Sequence, residues 1–139
     1  MTFEDVEEER RVERQIRRKE REIREMRENV LPSRYRSATV NGKEIYITGG
    51  QSSLPSSPVE RYLRDLQRME DEHARLCKIR ERFRVETNKI PEAEIRTIIY
   101  WRTDQLRTWP QVSRLVMGTG ASDTAARMRL IRYLNKTGE

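Results

Sequence analysis

The chain has 139 residues, enough for one domain of ordinary size. Only 35% of the residues are hydrophobic while 37% are charged, which excludes a single large core, and no apolar run approaches the ~20 residues of a bilayer span. The net charge of +6 points to a polyanionic partner, with nucleic acid ahead of an anionic membrane surface.

The first 30 residues are almost all glutamate and arginine, in nearly equal number. Sparse apolar residues recur at Val12, Ile16, Ile23, Met26 and Val30. With Lys19 included, their steps alternate between four and three, a heptad seam with one charged interruption. Glu13–Arg17 and Glu20–Arg24 are i, i+4 pairs with the acid first, the order that supports a helix. The pattern predicts a charged helix over residues 1–30. It is either a lone helix held by local ion pairs or a weak coiled coil that joins copies of the chain.

Pro32 ends that helix, and residues 31–57 read as a linker rich in proline, serine and the pair Gly49-Gly50. Within it, Asn41-Gly42 separates two short β-prone runs, Ala38–Val40 and Lys43–Ile47, the signal for a small β-hairpin with a type I′ turn. Ser57-Pro58-Val59-Glu60 then has the composition of a capping box with proline at the first helical position. Val59, Tyr62, Leu63, Leu66, Met69, Leu76, Ile79 and Phe83 continue at helical spacing, which predicts a second long helix over residues 58–88. Cys77 and His73 fall on its apolar stripe. The lone cysteine excludes an internal disulfide and reads as a small buried hydrophobe. The lone histidine has no partner for a metal site.

Asn88 and Pro91 mark a boundary, and residues 89–139 form a more apolar segment with three helices. The first runs from about Pro91 to Thr103, around Ile95, Ile98 and Ile99. The second opens at Thr108-Trp109-Pro110-Gln111, another capping box, with Val112, Leu115 and Val116 expected inward, and stops at Gly118. Gly118–Ala121 is the expected turn. The third helix is expected from Asp123 to about Asn135, with Ser122 as its cap and Asp123 at the positive end of its dipole. At 100° per residue, Ala126, Leu130 and Leu134 share one side, while Thr124, Ala125, Met128, Arg129, Arg132 and Lys136 share the other. Between Gln105 and Gly138 the only acid is Asp123, against Arg107, Arg114, Arg127, Arg129, Arg132 and Lys136.

This is the pattern of an all-α protein that ends in a helix-turn-helix. Small residues near the start of the third helix allow close entry to a major groove, where arginine pairs with guanine. The expected base-reading residues are Thr124, Ala125, Met128, Arg129 and Arg132. Arg107, Arg114, Arg127 and Lys136 are the expected phosphate contacts, with Arg127 close enough to the buried edge to pair internally instead. No catalytic residue, metal or cofactor is expected. The histidine and cysteine lie four apart with no third partner, the carboxylates sit at ion-pair spacing with arginine, and no glycine loop fits a phosphate cofactor.

The run IIYWRTDQLRTWPQVSRLVMGTGASDTAARMRLIRYL, from Ile98 to Leu134, resembles the C-terminal helix-turn-helix of small phage regulators of the RinA/ArpU type, itself similar to region 4 of sigma factors. The matching features are Tyr100 and Arg102 at a helix end, Thr108-Trp109 at a helix start, Val112 with Leu115, the glycine-bearing turn, and Arg132-Tyr133-Leu134 closing the third helix. Pro110 and the Asn-Gly hairpin depart from that pattern. The resemblance implies a phage-encoded, sequence-specific DNA-binding protein that controls late-gene transcription in the cytoplasm of a bacterial host, with host RNA polymerase as a partner. The alternative is a small terminase subunit that recognises a DNA packaging site, in which case the upstream helices build a ring of subunits rather than a monomer or homodimer. A helical interaction protein that never touches DNA is the third reading, and a mobility-shift assay at low salt separates it from the other two.

Overall fold

The computed structural model describes residues 1–28 and 58–137, together with the paired residues Thr39–Val40 and Lys43–Glu44. The described residues are helical apart from that one small ladder. Helix α1 (Phe3–Glu28) opens on a reciprocal cap: the Thr2 amide donates to Asp5 Oδ2 at 2.8 Å and the Asp5 amide to Thr2 Oγ1 at 3.2 Å. Strands β1 (Thr39–Val40) and β2 (Lys43–Glu44) pair antiparallel, with Thr39 opposite Glu44 and Val40 opposite Lys43. The Asn41-Gly42 turn, Ser57 and the rest of the expected linker lie outside the described residues. Helix α2 (Pro58–Asn88) begins at the expected proline. It is followed by α3 (Ala93–Thr103), α4 (Trp109–Met117) and α5 (Ala125–Lys136).

The chain groups into two units whose borders differ from the expected divisions. The first joins Met1–Ile16 to Leu76–Glu139, and the second is Arg17–Arg75. In the first unit the core holds Ile95, Ile98 and Ile99 of α3, Val112 of α4, and Ala126, Leu130 and Leu134 of α5. Val6 of α1 belongs to the same core and is 0% exposed. A second cluster packs Val12 and Ile16 against Leu76, with Cys77 and Ile79 beside them; Cys77 is half-buried. In the second unit Ile23 and Met26 are buried, Tyr62 donates to the Met26 carbonyl at 2.8 Å, Arg27 pairs with Glu70, and His73 lies 3.1 Å from Glu20. The seam from Val12 to Met26 is therefore packed within this chain, Val30 lying outside the described residues, and this stretch of α1 is neither a lone solvated helix nor a seam left open for another copy.

Charged groups occupy part of the first unit's interior, because α1 carries too few apolar residues to fill its inward face. Glu9 and Glu13 are each only 5% exposed. Arg80 donates to Glu13 at 3.3 Å and Arg84 to Asp104 at 3.1 Å. Glu9 Oε1 has no hydrogen-bond partner among the described residues. Burial, then the nearby charges of Glu13 and Asp104, outweigh Arg80 and Arg84 and push the Glu9 carboxyl up to about 7.

Two outcomes are expected. Val6→Ala removes two methyl groups from the core and should cost about 2 kcal/mol in urea denaturation, whereas a substitution on a merely solvated charged helix would be close to neutral. For Glu9, the folded carboxyl holds its proton more tightly than the unfolded one. Its contribution to stability is therefore fully present below pH 4.5 and is lost as pH rises toward about 7. Stability should fall by on the order of 2–3 kcal/mol across that window, and Glu9→Gln should flatten this part of the profile.

Candidate nucleic-acid interface

Helix α4 starts with the full capping box read from the sequence. Thr108 Oγ1 accepts from the Gln111 amide at 3.4 Å, and Gln111 Oε1 accepts from the Thr108 amide at 3.0 Å. Pro110 sits in the first turn, where a missing amide proton costs nothing. The helix ends at Met117, and Gly118 has φ of 97°, a value that glycine adopts without a side-chain penalty. Its amide still donates to the Arg114 carbonyl at 3.1 Å.

The corner to α5 runs through residues 118–124 and is longer than expected. Neither Ser122 nor Asp123 caps α5. Its N-cap is Thr124, whose side chain makes no capping bond. The capping acceptor comes from α4 instead: Ser113, 0% exposed, accepts from the Ala126 amide at 3.0 Å and donates to the Asp123 carbonyl at 3.3 Å. One buried hydroxyl thus fixes the first turn of α5 to α4. Leu115 is a further correction. It is 52% exposed, and the inward positions of α4 are Val112 and Ser113, because the helix turns its Ser113 edge toward α5.

Helix α5 buries Ala126, Leu130 and Leu134, as its periodicity requires. Thr124, Met128, Arg132 and Lys136 are exposed and Ala125 is half-buried. Arg114 on α4 and Arg107 before it are exposed as well. Arg132 and Lys136 make no ion pair among the described residues.

Arg129 departs from the expectation of a free base reader. It donates to Glu92 at 2.6 Å and lies 2.9 Å from Glu94, the two acids at the start of α3. Its helical angle places it at the edge of the outward face nearest those acids. The hydrogen bond it donates to Glu92 raises its pKa further, so it stays charged but occupied. Arg127 takes the opposite edge. Its guanidinium lies 5.5 Å from the centre of the Phe3 ring and is otherwise exposed, so its internal partner is an aromatic ring.

The contacts that lie beyond Phe3 were not among the expectations. Phe3 stacks on Trp109 at 5.8 Å, and Arg102 covers the Trp109 ring at 4.6 Å. Glu7 accepts two bonds from Arg102, at 2.9 and 3.0 Å, and one from Trp109 Nε1 at 3.0 Å. Burial alone would raise the Glu7 carboxyl, but the bonds from Arg102 and Trp109 outweigh it and hold the pKa below the usual value. Arg10 donates to the Leu106 carbonyl at 3.1 Å, in a loop where Leu106 has φ of 53°. The first turns of α1 thus tie down α3, α4 and the loop between them. The available signal was the spacing Phe3, Glu7, Arg10, Arg14, which places all four on one face of α1.

No family model, curated protein or solved structure matches this chain. Among the described residues no cluster of histidine, cysteine, aspartate and glutamate could hold a metal ion, and no helix is long and apolar enough to cross a membrane.

Ser113→Ala should cost about 1–3 kcal/mol, since it leaves the buried Ala126 amide without an acceptor. Hydrogen exchange should quicken first at the amides of the opening turn of α5, and uniform loss of protection across α3, α4 and α5 would count against this local role.

Proposed function

We propose that the chain binds duplex DNA in a sequence-dependent manner through a helix-turn-helix made of α4, the 118–124 corner and α5, in the role of a phage-encoded regulator of late-gene transcription. The observation that carries this reading is the outward face of α5. Arg132 and Lys136 are exposed there without an ion-pair partner among the described residues, next to the small residues Thr124 and Ala125. A helix that carries small side chains at its start and unneutralised cations further along can sit deep in a major groove. The resemblance to RinA/ArpU-type regulators supports the same elements.

In this reading Thr124, Ala125, Met128 and Arg132 meet base edges, and Arg107, Arg114, Arg127 and Lys136 meet phosphates. Arg129 is given no base, because Glu92 and Glu94 already hold its guanidinium. Phosphate contacts dominate the affinity, so binding falls steeply with salt. Four such contacts correspond to a slope of about −3.6 in log K against log[salt].

The test is fluorescence anisotropy on duplexes selected from the source genome. Arg132→Glu combined with Lys136→Glu should weaken binding by about 100-fold or more while circular dichroism shows the helical fold retained, since both side chains are exposed and make no ion pair among the described residues. Undiminished affinity in the double variant would overturn the assignment.

A further inference from the structure

A cleft of about 370 Å³ opens beside Trp109, lined by Phe3, Glu7, Arg10, Arg14, Arg102 and Arg127 among others. It brings the first four turns of α1 up against α3, α4 and α5, all within the first unit. Its charge is mainly positive: two acids, Glu4 and Glu7, face five arginines, of which Arg11 is held by Glu8. Glu7 is consumed by Arg102 and Trp109, and Arg102 in turn is consumed by Glu7 and by the Arg107 carbonyl at 3.1 Å. Arg10 spends one nitrogen on the Leu106 carbonyl, while its Nε is buried and has no hydrogen-bond partner among the described residues. Arg14 and Arg127 are exposed and make no ion pair among the described residues. The guanidinium groups of Arg10, Arg14 and Arg127 therefore face one cleft against the single remaining carboxylate of Glu4, an excess of positive charge that favours entry of an anion.

We infer that this cleft is an anion site for a phosphodiester of the DNA backbone, contacted by Arg14 and Arg127 with Arg10 behind them. The inference rests on the DNA-binding reading and extends the footprint from α5 to α1. Guanidinium groups match phosphate oxygens in a forked, two-bond geometry. The stacked Phe3 and Trp109 rings form an aromatic wall beside them. A contact of this kind adds affinity without adding sequence preference.

The experiment compares three proteins on the same selected duplex and on random duplex across a range of salt: the wild type, Arg14→Gln/Arg127→Gln, and Arg14→Lys/Arg127→Lys. Arg10 is left intact because it holds the α3–α4 loop. Loss of two phosphate contacts should reduce the log K against log[salt] slope by about 1.8 and weaken binding to both duplexes by at least about tenfold at 0.1 M salt. The ratio of affinities for the two duplexes should not change. The lysine pair should restore most of the slope, and the duplex should shift the Trp109 indole N–H resonance of the wild type but not that of the glutamine pair. A slope and affinity unaltered in the glutamine pair, while Arg132→Glu/Lys136→Glu still abolishes binding, would overturn the cleft assignment and leave the α5 reading standing. A wild type that binds no duplex at all would overturn both. If inorganic phosphate moves the Trp109 resonance while the glutamine pair binds duplex normally, the site takes free phosphate and lies outside the DNA footprint, which also overturns the inference.

Discussion

The first turn of α1 completes a core that the C-terminal helices cannot close alone. Helices α3, α4 and α5 together span roughly 45 residues, close to the size at which a chain buries too little surface to fold without help. Val6 supplies the missing apolar contact, and Phe3 extends it over Trp109. Glu7 then joins Arg102 and Trp109 by three charge-assisted bonds. Position of the whole tip depends on this insertion, since the same segment carries Arg10 to the strained loop before α4. Loss of the insertion would leave Trp109, Arg102 and the α4 cap without their counterpart.

The acids of this protein sort its arginines. Glu7 takes Arg102, Glu13 takes Arg80, Asp104 takes Arg84, and Glu92 with Glu94 takes Arg129. These pairs sit at the inner or outer margins of the first unit. On α4, α5 and the loop before α4, Arg107, Arg114, Arg132 and Lys136 are exposed and make no ion pair among the described residues. A net charge of +6 spread over 139 residues would say little about partners. Between Gln105 and Gly138 six bases face the one acid Asp123, and this local excess is the electrostatic basis of the proposed affinity for DNA.

Helix positions were largely legible because they rest on local rules. The period of Ile95, Ile98 and Ile99, the Thr108–Gln111 box, and the Ala126–Leu130–Leu134 stripe each depend on residues three or four apart. The features that were missed depend on distant partners. Ser113 reads as an ordinary polar position on α4 until α5 brings the Ala126 amide to it. Leu115 looks inward by composition, but the need to present Ser113 turns the helix and exposes it. Glu92 and Glu94 lie 37 and 35 positions before Arg129, so no spacing rule connects them. The heptad seam of α1 was visible, but a seam does not state which partner fills it, and here Leu76 of the same chain does. On the candidate site, the face of α5 was read correctly as a surface, while the occupancy of one of its two arginines was not.

The central claim is that the outward face of α5 is where DNA meets this protein. The most direct measurement is a titration of isotope-labelled protein with a selected duplex, followed residue by residue by NMR. The account requires the largest perturbations at Thr124, Ala125, Met128, Arg132 and Lys136, with smaller ones at Arg107 and Arg114 and none centred on Ile23, Met26 or Tyr62. Perturbations confined to residues 17–75, or a duplex that leaves α5 unchanged, would contradict it.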